Sequence, residues 1–143
     1  MTSPVRAVGQ VLLGSVLVLA GVAHLTFART EFQAQVPPWF PADADLVVLV
    51  SGVVEVLVGA ALLVAWRHPA RAVVGLATAA LFVAVFPGNI AQLTEHRDAF
   101  GLTSDTARAI RLLFQPVLVV WAVWSTGAWR WWRQRRVTPE QRS

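Results

Sequence analysis

The sequence predicts an all-α fold: one four-transmembrane-helix bundle, both termini cytoplasmic, with a Pro-rich outer loop between helices 1 and 2. Three observations predict it. Of the 143 residues, 56% are hydrophobic and 14% charged, against roughly a quarter charged in an ordinary soluble domain. The apolar residues arrive in long blocks, as a bilayer-spanning chain requires. The arginines flank these blocks instead of forming a stripe, which argues against nucleic acid as the partner of the +4 net charge.

The first block runs from about Ala7 to Thr26, interrupted only by Gln10 and His24, and spans roughly 30 Å as a helix. A signal peptide is the rival reading, because Arg6 precedes the block and Gly21-Val22-Ala23 resembles a cleavage site. The later spans favour a retained helix. The second block, Leu46 to Trp66, is apolar apart from Ser51 and Glu55, with Asp43 and Asp45 as capping candidates and Trp66-Arg67 as an interfacial stop.

The third block, about Ala72 to Leu93, contains Pro87-Gly88-Asn89, which predicts a bend where proline removes a backbone donor. The fourth runs from about Ile110 to Trp129, with Arg111 and Gln115-Pro116 near its start. Trp129, Trp131 and Trp132 among Arg130, Arg133, Arg135 and Arg136 read as an aromatic belt with a basic anchor. A single domain is expected over residues 1–136, followed by a disordered polar tail over 137–143. There is no internal repeat.

Four spans divide the arginines unequally. Eight fall on the side of the termini and the second loop, and Arg29, Arg97, Arg108 and Arg111 on the other. The positive-inside rule therefore puts both termini in the cytoplasm. The outer connections, about 27–45 and 92–108, are the long ones. Val36-Pro37-Pro38-Trp39-Phe40-Pro41 in the first is too apolar and rigid for a solvated linker, and is expected to cover the bundle mouth.

Counted from Leu46, Glu55 lies about 13 Å down its helix, near mid-membrane. A carboxylate there costs roughly 2.5 to 3.5 kcal/mol and ordinarily faces the bundle or a wet cavity. Ser51, Glu55 and Gly59 share one helix face, as do Gly14, Leu17, Gly21 and His24 on the first span. Asn89 on the third span and Arg111 and Gln115 on the fourth fall at a similar level. The candidate ligand-binding set is therefore His24, Ser51, Glu55, Asn89, Arg111 and Gln115, with Glu55 the best catalytic candidate. The bland alternative is that these groups only bond the helices together, at about 0.6 kcal/mol each.

Other chemistries find no support. Absence of cysteine excludes disulfides, thiolate metal sites and thiol relays. His24, His68 and His96 lack metal-ligand spacing, so no metal is expected. There is no phosphate-binding glycine loop and no Ser-His-acid set.

The residues Gly21-Val22-Ala23-His24, Val36 to Pro41, Ser51-Gly52 with Glu55 and Gly59, Phe86-Pro87-Gly88-Asn89, and Arg111 with Gln115 resemble the DoxX family. The resemblance implies a small four-helix protein of the bacterial cytoplasmic (inner) membrane. Relatives are associated with quinone-linked sulfur oxidation and with thiol-redox or oxidative-stress systems. Without cysteines, a redox role here requires a bound quinone or a partner's cofactor.

The leading expectation is a redox-associated membrane subunit whose outer-half pocket binds a quinone. The rival is a non-enzymatic anchor or assembly partner for another protein, and a transporter comes third. In each case the lipid bilayer is a partner, a protein partner in a redox or stress-defence system is compatible, and so is a homo-oligomer. A stand-alone enzyme is not the expectation.

Overall fold

The computed structural model describes residues 2–137. All regular structure among them is helical, and four helices are long and apolar enough to cross a membrane. The expected tail lies outside the described residues, except that Val137 ends the last helix.

Helix α1 (Pro4–Leu25) begins earlier than the apolar run, because Pro4 lacks only an N–H that the first turn leaves unbonded anyway. A short helix, α2 (Arg29–Gln33), follows in the connection to the second span; the apolar periodicity did not announce it. Helix α3 (Ala44–Val64) starts under Asp43, whose side chain accepts from the Leu46 N–H at 3.0 Å. Asp45 does not cap. It instead pairs with Arg29 and accepts from Gln33 at 2.8 Å, and this hydrogen-bonded pairing raises the Arg29 pKa.

The third span is two helices, α4 (Ala70–Ala84) and α5 (Phe86–Thr94), joined at Val85. Pro87 sits in the first turn of α5, where its missing N–H breaks no helical bond. Helix α6 (Asp105–Thr126) starts a full turn before Ile110 because Ser104 caps it, accepting from Ala107 N–H at 3.2 Å. It stops at Gly127, whose φ of +70° is left-handed. Trp129 and the basic cluster therefore belong to a separate helix, α7 (Ala128–Val137), and not to the end of the fourth span.

Helix α1 packs against α3 and α6, α4 against α6, and α3 only lightly against α4. The shared core is Leu13, Leu17, Leu62, Ala79, Phe82 and Ala122. The α1–α3 seam is the tightest contact: a Cβ on Gly21 would lie 2.6 Å from Gly52 O, and one on Gly59 would lie 2.8 Å from Gly14 O. In lipid, helices gain little from burying apolar surface against each other, so close backbone packing of this kind supplies much of the association.

The two ends differ in chemistry. Where α1 begins and α3 ends, Gln10 donates to Leu62 O and Ala65 O at 2.7 and 2.9 Å, satisfying carbonyls that the α3 terminus leaves unbonded. Its own oxygen accepts from Arg71 Nε at 2.6 Å. That end carries most of the arginines. The opposite end holds Glu31, Asp43, Asp45, Glu95, Asp98 and Asp105 alongside Arg29, Arg97 and Arg108.

Candidate functional site

At the mixed-charge end the 34–42 loop folds back over the bundle and closes a cavity of about 240 Å³. Its walls include Phe32, Val36, Pro37, Trp39, Phe40, Val48 and Val85, and its polar lining is His24, Gln35 and Ser51. Backbone proximity makes this closure possible: a Cβ on Gly88 would come within 2.5 Å of Gln35 O. The loop therefore rests directly on the start of α5.

His24 and Glu55 are brought together behind this cavity, 7% and 8% exposed. The Nδ1 of His24 lies 3.1 Å from Glu55 Oε2 and 2.8 Å from Ala20 O, so one imidazole nitrogen faces two acceptors. Glu55 Oε2 is buried without a well-directed hydrogen bond. His24 lines the cavity; Glu55 does not, and reaches it only through the imidazole. On its other side the ring is stacked on Phe32, with centroids 3.3 Å apart and planes 16° from parallel. Phe32 in turn meets Phe100 edge-on at 4.6 Å.

The remaining predicted residues do not join that pair. Ser51 reaches the cavity wall but donates to Val48 O of its own helix at 2.9 Å. Asn89 donates to Gln115 Oε1 at 3.0 Å, and Gln115 donates to Phe82 O at 2.6 Å. Both are buried and mutually bonded across α4, α5 and α6, which is the work of helix association. Arg111 stands over the Phe100 ring at 5.2 Å.

Two glutamines absent from the predicted set contact Arg111, and one of them, Gln35, lines the cavity. The Gln35 carbonyl oxygen, in the amide orientation its neighbours require, accepts from the Arg111 guanidinium. Gln92 is buried with its Oε1 3.5 Å from Arg111 Nη1, and its Nε2 has no hydrogen-bond partner. Gln35 thus belongs to both the Arg111 group and the cavity lining. Arg108 was likewise missed: it is buried, donates to Arg97 O at 3.2 Å, and pairs with Asp98 and Asp105.

The six expected residues therefore fall into three groups: a His24–Glu55 pair beside Ser51, a closed Asn89–Gln115 bond, and Arg111 with Gln35 and Gln92. Only the first and third approach the cavity. No group of three or more His, Cys, Asp or Glu among the described residues is placed to hold a metal ion.

No curated protein and no solved structure matches this chain. A family model does match, over residues 13–126, from inside α1 to the end of α6. With the α1–α3 seam, the cavity and the Asn89–Gln115 bond all inside that match, the chain belongs to DUF8561, described as a domain of unknown function.

Proposed function

We propose that this protein is a multi-pass subunit of a bacterial cytoplasmic membrane that binds a quinone head group in the cavity beside His24. The observation that carries the reading is the cavity's make-up: apolar and aromatic walls with a few convergent polar groups, His24, Gln35 and Ser51. Its volume of about 240 Å³ suits a single substituted ring whose apolar tail leaves toward lipid. We include the DoxX resemblance of the sequence motifs in the same proposal.

The donors suit such a ligand. A quinone presents two carbonyl oxygens in an apolar ring; the imidazole and the Gln35 amide supply polar groups against them, and Phe32 and Trp39 supply aromatic surface. Bound quinone would bring electron-carrying chemistry that a chain without cysteine lacks. His24 holds or moves a proton at the cavity wall, and Glu55 orients that imidazole from behind. Glu55 is thus a positioning residue in this reading, not the group that meets the ligand. Arginine distribution favours the mixed-charge end as the outer one, with both termini in the cytoplasm.

Titration of the purified full-length protein with a short-chain ubiquinone tests this. His24→Ala should weaken binding about tenfold, one good hydrogen bond's worth of affinity. Val48→Phe should fill the cavity and abolish binding. Glu55→Gln should weaken it less than His24→Ala does. Equal affinity in wild type, His24→Ala and Val48→Phe would overturn the site.

One observation favours the anchor reading as the second choice. Phe27 and Trp39 stand 85% and 69% exposed at the same end, as a docking rim would. That reading predicts a protein that co-purifies from native membranes and is lost on Phe27→Ser and Trp39→Ser, with Glu55→Gln harmless.

A further inference from the structure

The other end of the bundle holds a second and larger cavity, about 510 Å³, between the starts of α1 and α4 and the α6–α7 junction. Arg6, His68, Arg71 and Arg130 line it, with Trp66 and Trp131 on its walls. No described Asp or Glu lies at this end of the bundle.

Arg71 is the informative member. It is 3% exposed, and its guanidinium donates to Gln10 Oε1 at 2.6 Å, to Ser125 O at 2.7 Å and to the Thr2 hydroxyl. All three acceptors are neutral. They satisfy hydrogen bonds and leave the charge unbalanced, whereas buried charges are ordinarily paired.

The backbone adds to the same potential. Arg6 and Arg71 both occupy first turns, where the helix dipole is positive and a cation is disfavoured. Neither α1 nor α4 has an acidic residue in its first turn or a side-chain cap. Two uncapped helix starts, a buried guanidinium and two further arginines thus face one cavity. An anion entering it meets favourable charge from these arginines and helix starts, while the C-terminal carbonyls of α3 and α6 at the same end are taken up in part by Gln10 and Arg71.

The surroundings say where that anion comes from. Trp66 and Trp131 form its rim, Arg71 lies over the Trp66 ring at 5.7 Å, and α7 carries Arg135 and Arg136 over Trp131 and Trp132 at 4.2 and 3.9 Å. Tryptophan with arginine at the end of a transmembrane span marks headgroup depth. We propose that this cavity binds the phosphate of an anionic phospholipid headgroup, with Arg71, Arg6 and Arg130 as its ligands. The site does not depend on the quinone reading, since it lies at the opposite end of the bundle.

The test uses full-length protein in phosphatidylcholine vesicles with a trace of dansyl-labelled phosphatidylglycerol, read as energy transfer from tryptophan. Unlabelled phosphatidylglycerol should displace the probe at about one tenth of the concentration that added phosphatidylcholine needs. The Arg6→Gln/Arg130→Gln double variant should lose that preference, while Arg133→Gln/Arg136→Gln, which removes equal charge away from the cavity, should keep it. Helix content measured alongside shows that each variant is folded, and both pairs leave the buried Arg71 in place. Equal displacement by the two lipids overturns the proposal. So does an equal loss in both double variants, which would mean diffuse surface charge, or displacement by millimolar inorganic phosphate, which would mean a site for the free ion.

Discussion

Glu55 and Gln115 were predicted from the same kind of signal, a polar side chain at helical phase inside an apolar run, and the structure gives them different surroundings. Gln115 has its hydrogen bonds filled by Asn89 and Phe82 O. Glu55 keeps one oxygen without a well-directed bond, against the imidazole that walls the cavity. Asn89→Leu and Gln115→Leu should therefore each cost about 1 kcal/mol of stability in a detergent or steric-trapping assay, with ligand affinity unchanged. The double variant should cost less than the sum, because the two residues share one bond. Gln10→Leu is predicted to be worse, about 2 to 3 kcal/mol, since it strips two α3 carbonyls and the Arg71 guanidinium of a partner at once.

At the level of the helices, the α1–α3 seam sets a sharper test. Gly21→Ala would put a methyl group against a backbone oxygen that cannot swing aside, so the thermal transition should fall markedly. Gly101→Ala should be mild, about 1 kcal/mol, because its Cβ meets open space and only the φ of +72° resists it. These contacts also show what was legible beforehand. The spacing of Gly14, Gly21 and His24, and of Ser51, Glu55 and Gly59, put each set on one helix face, because helical period maps sequence onto a face directly, whereas the meeting of Gly14 with Gly59 and of Gly21 with Gly52 is read from the structure. Gln35 and Phe32 could not be found that way. They lie in a connection whose path is set by contact with Gly88 and His24, and no period records where a loop lands. The expected end of the fourth span at about Trp129 runs two residues into α7 for a related reason: its tryptophans look like the end of a span, and only the left-handed Gly127 breaks the run.

For the whole molecule, the division of charge is the feature with most reach. Among the described residues, basic ones crowd the end where α1 begins and α7 lies, and six acidic ones gather at the other. Absence of cysteine makes the resulting orientation easy to test, since any introduced thiol is unique. A membrane-impermeant maleimide should label Thr103→Cys in intact cells and Arg133→Cys only after permeabilisation. The reverse pattern would invert the proposed topology and put the cavity beside His24 on the cytoplasmic side.

The stacked His24–Phe32 pair has a spectroscopic consequence. An imidazole 3.3 Å above a phenyl face lies within its ring current, so the His24 carbon-bound protons should resonate upfield of those of exposed His96. With three histidines in the chain, that signal can be resolved and followed. A molecule entering the cavity and displacing Phe32 would return it downfield while the His68 and His96 signals stay fixed. The protein thus carries its own magnetic gauge of whether the cavity beside His24 is filled.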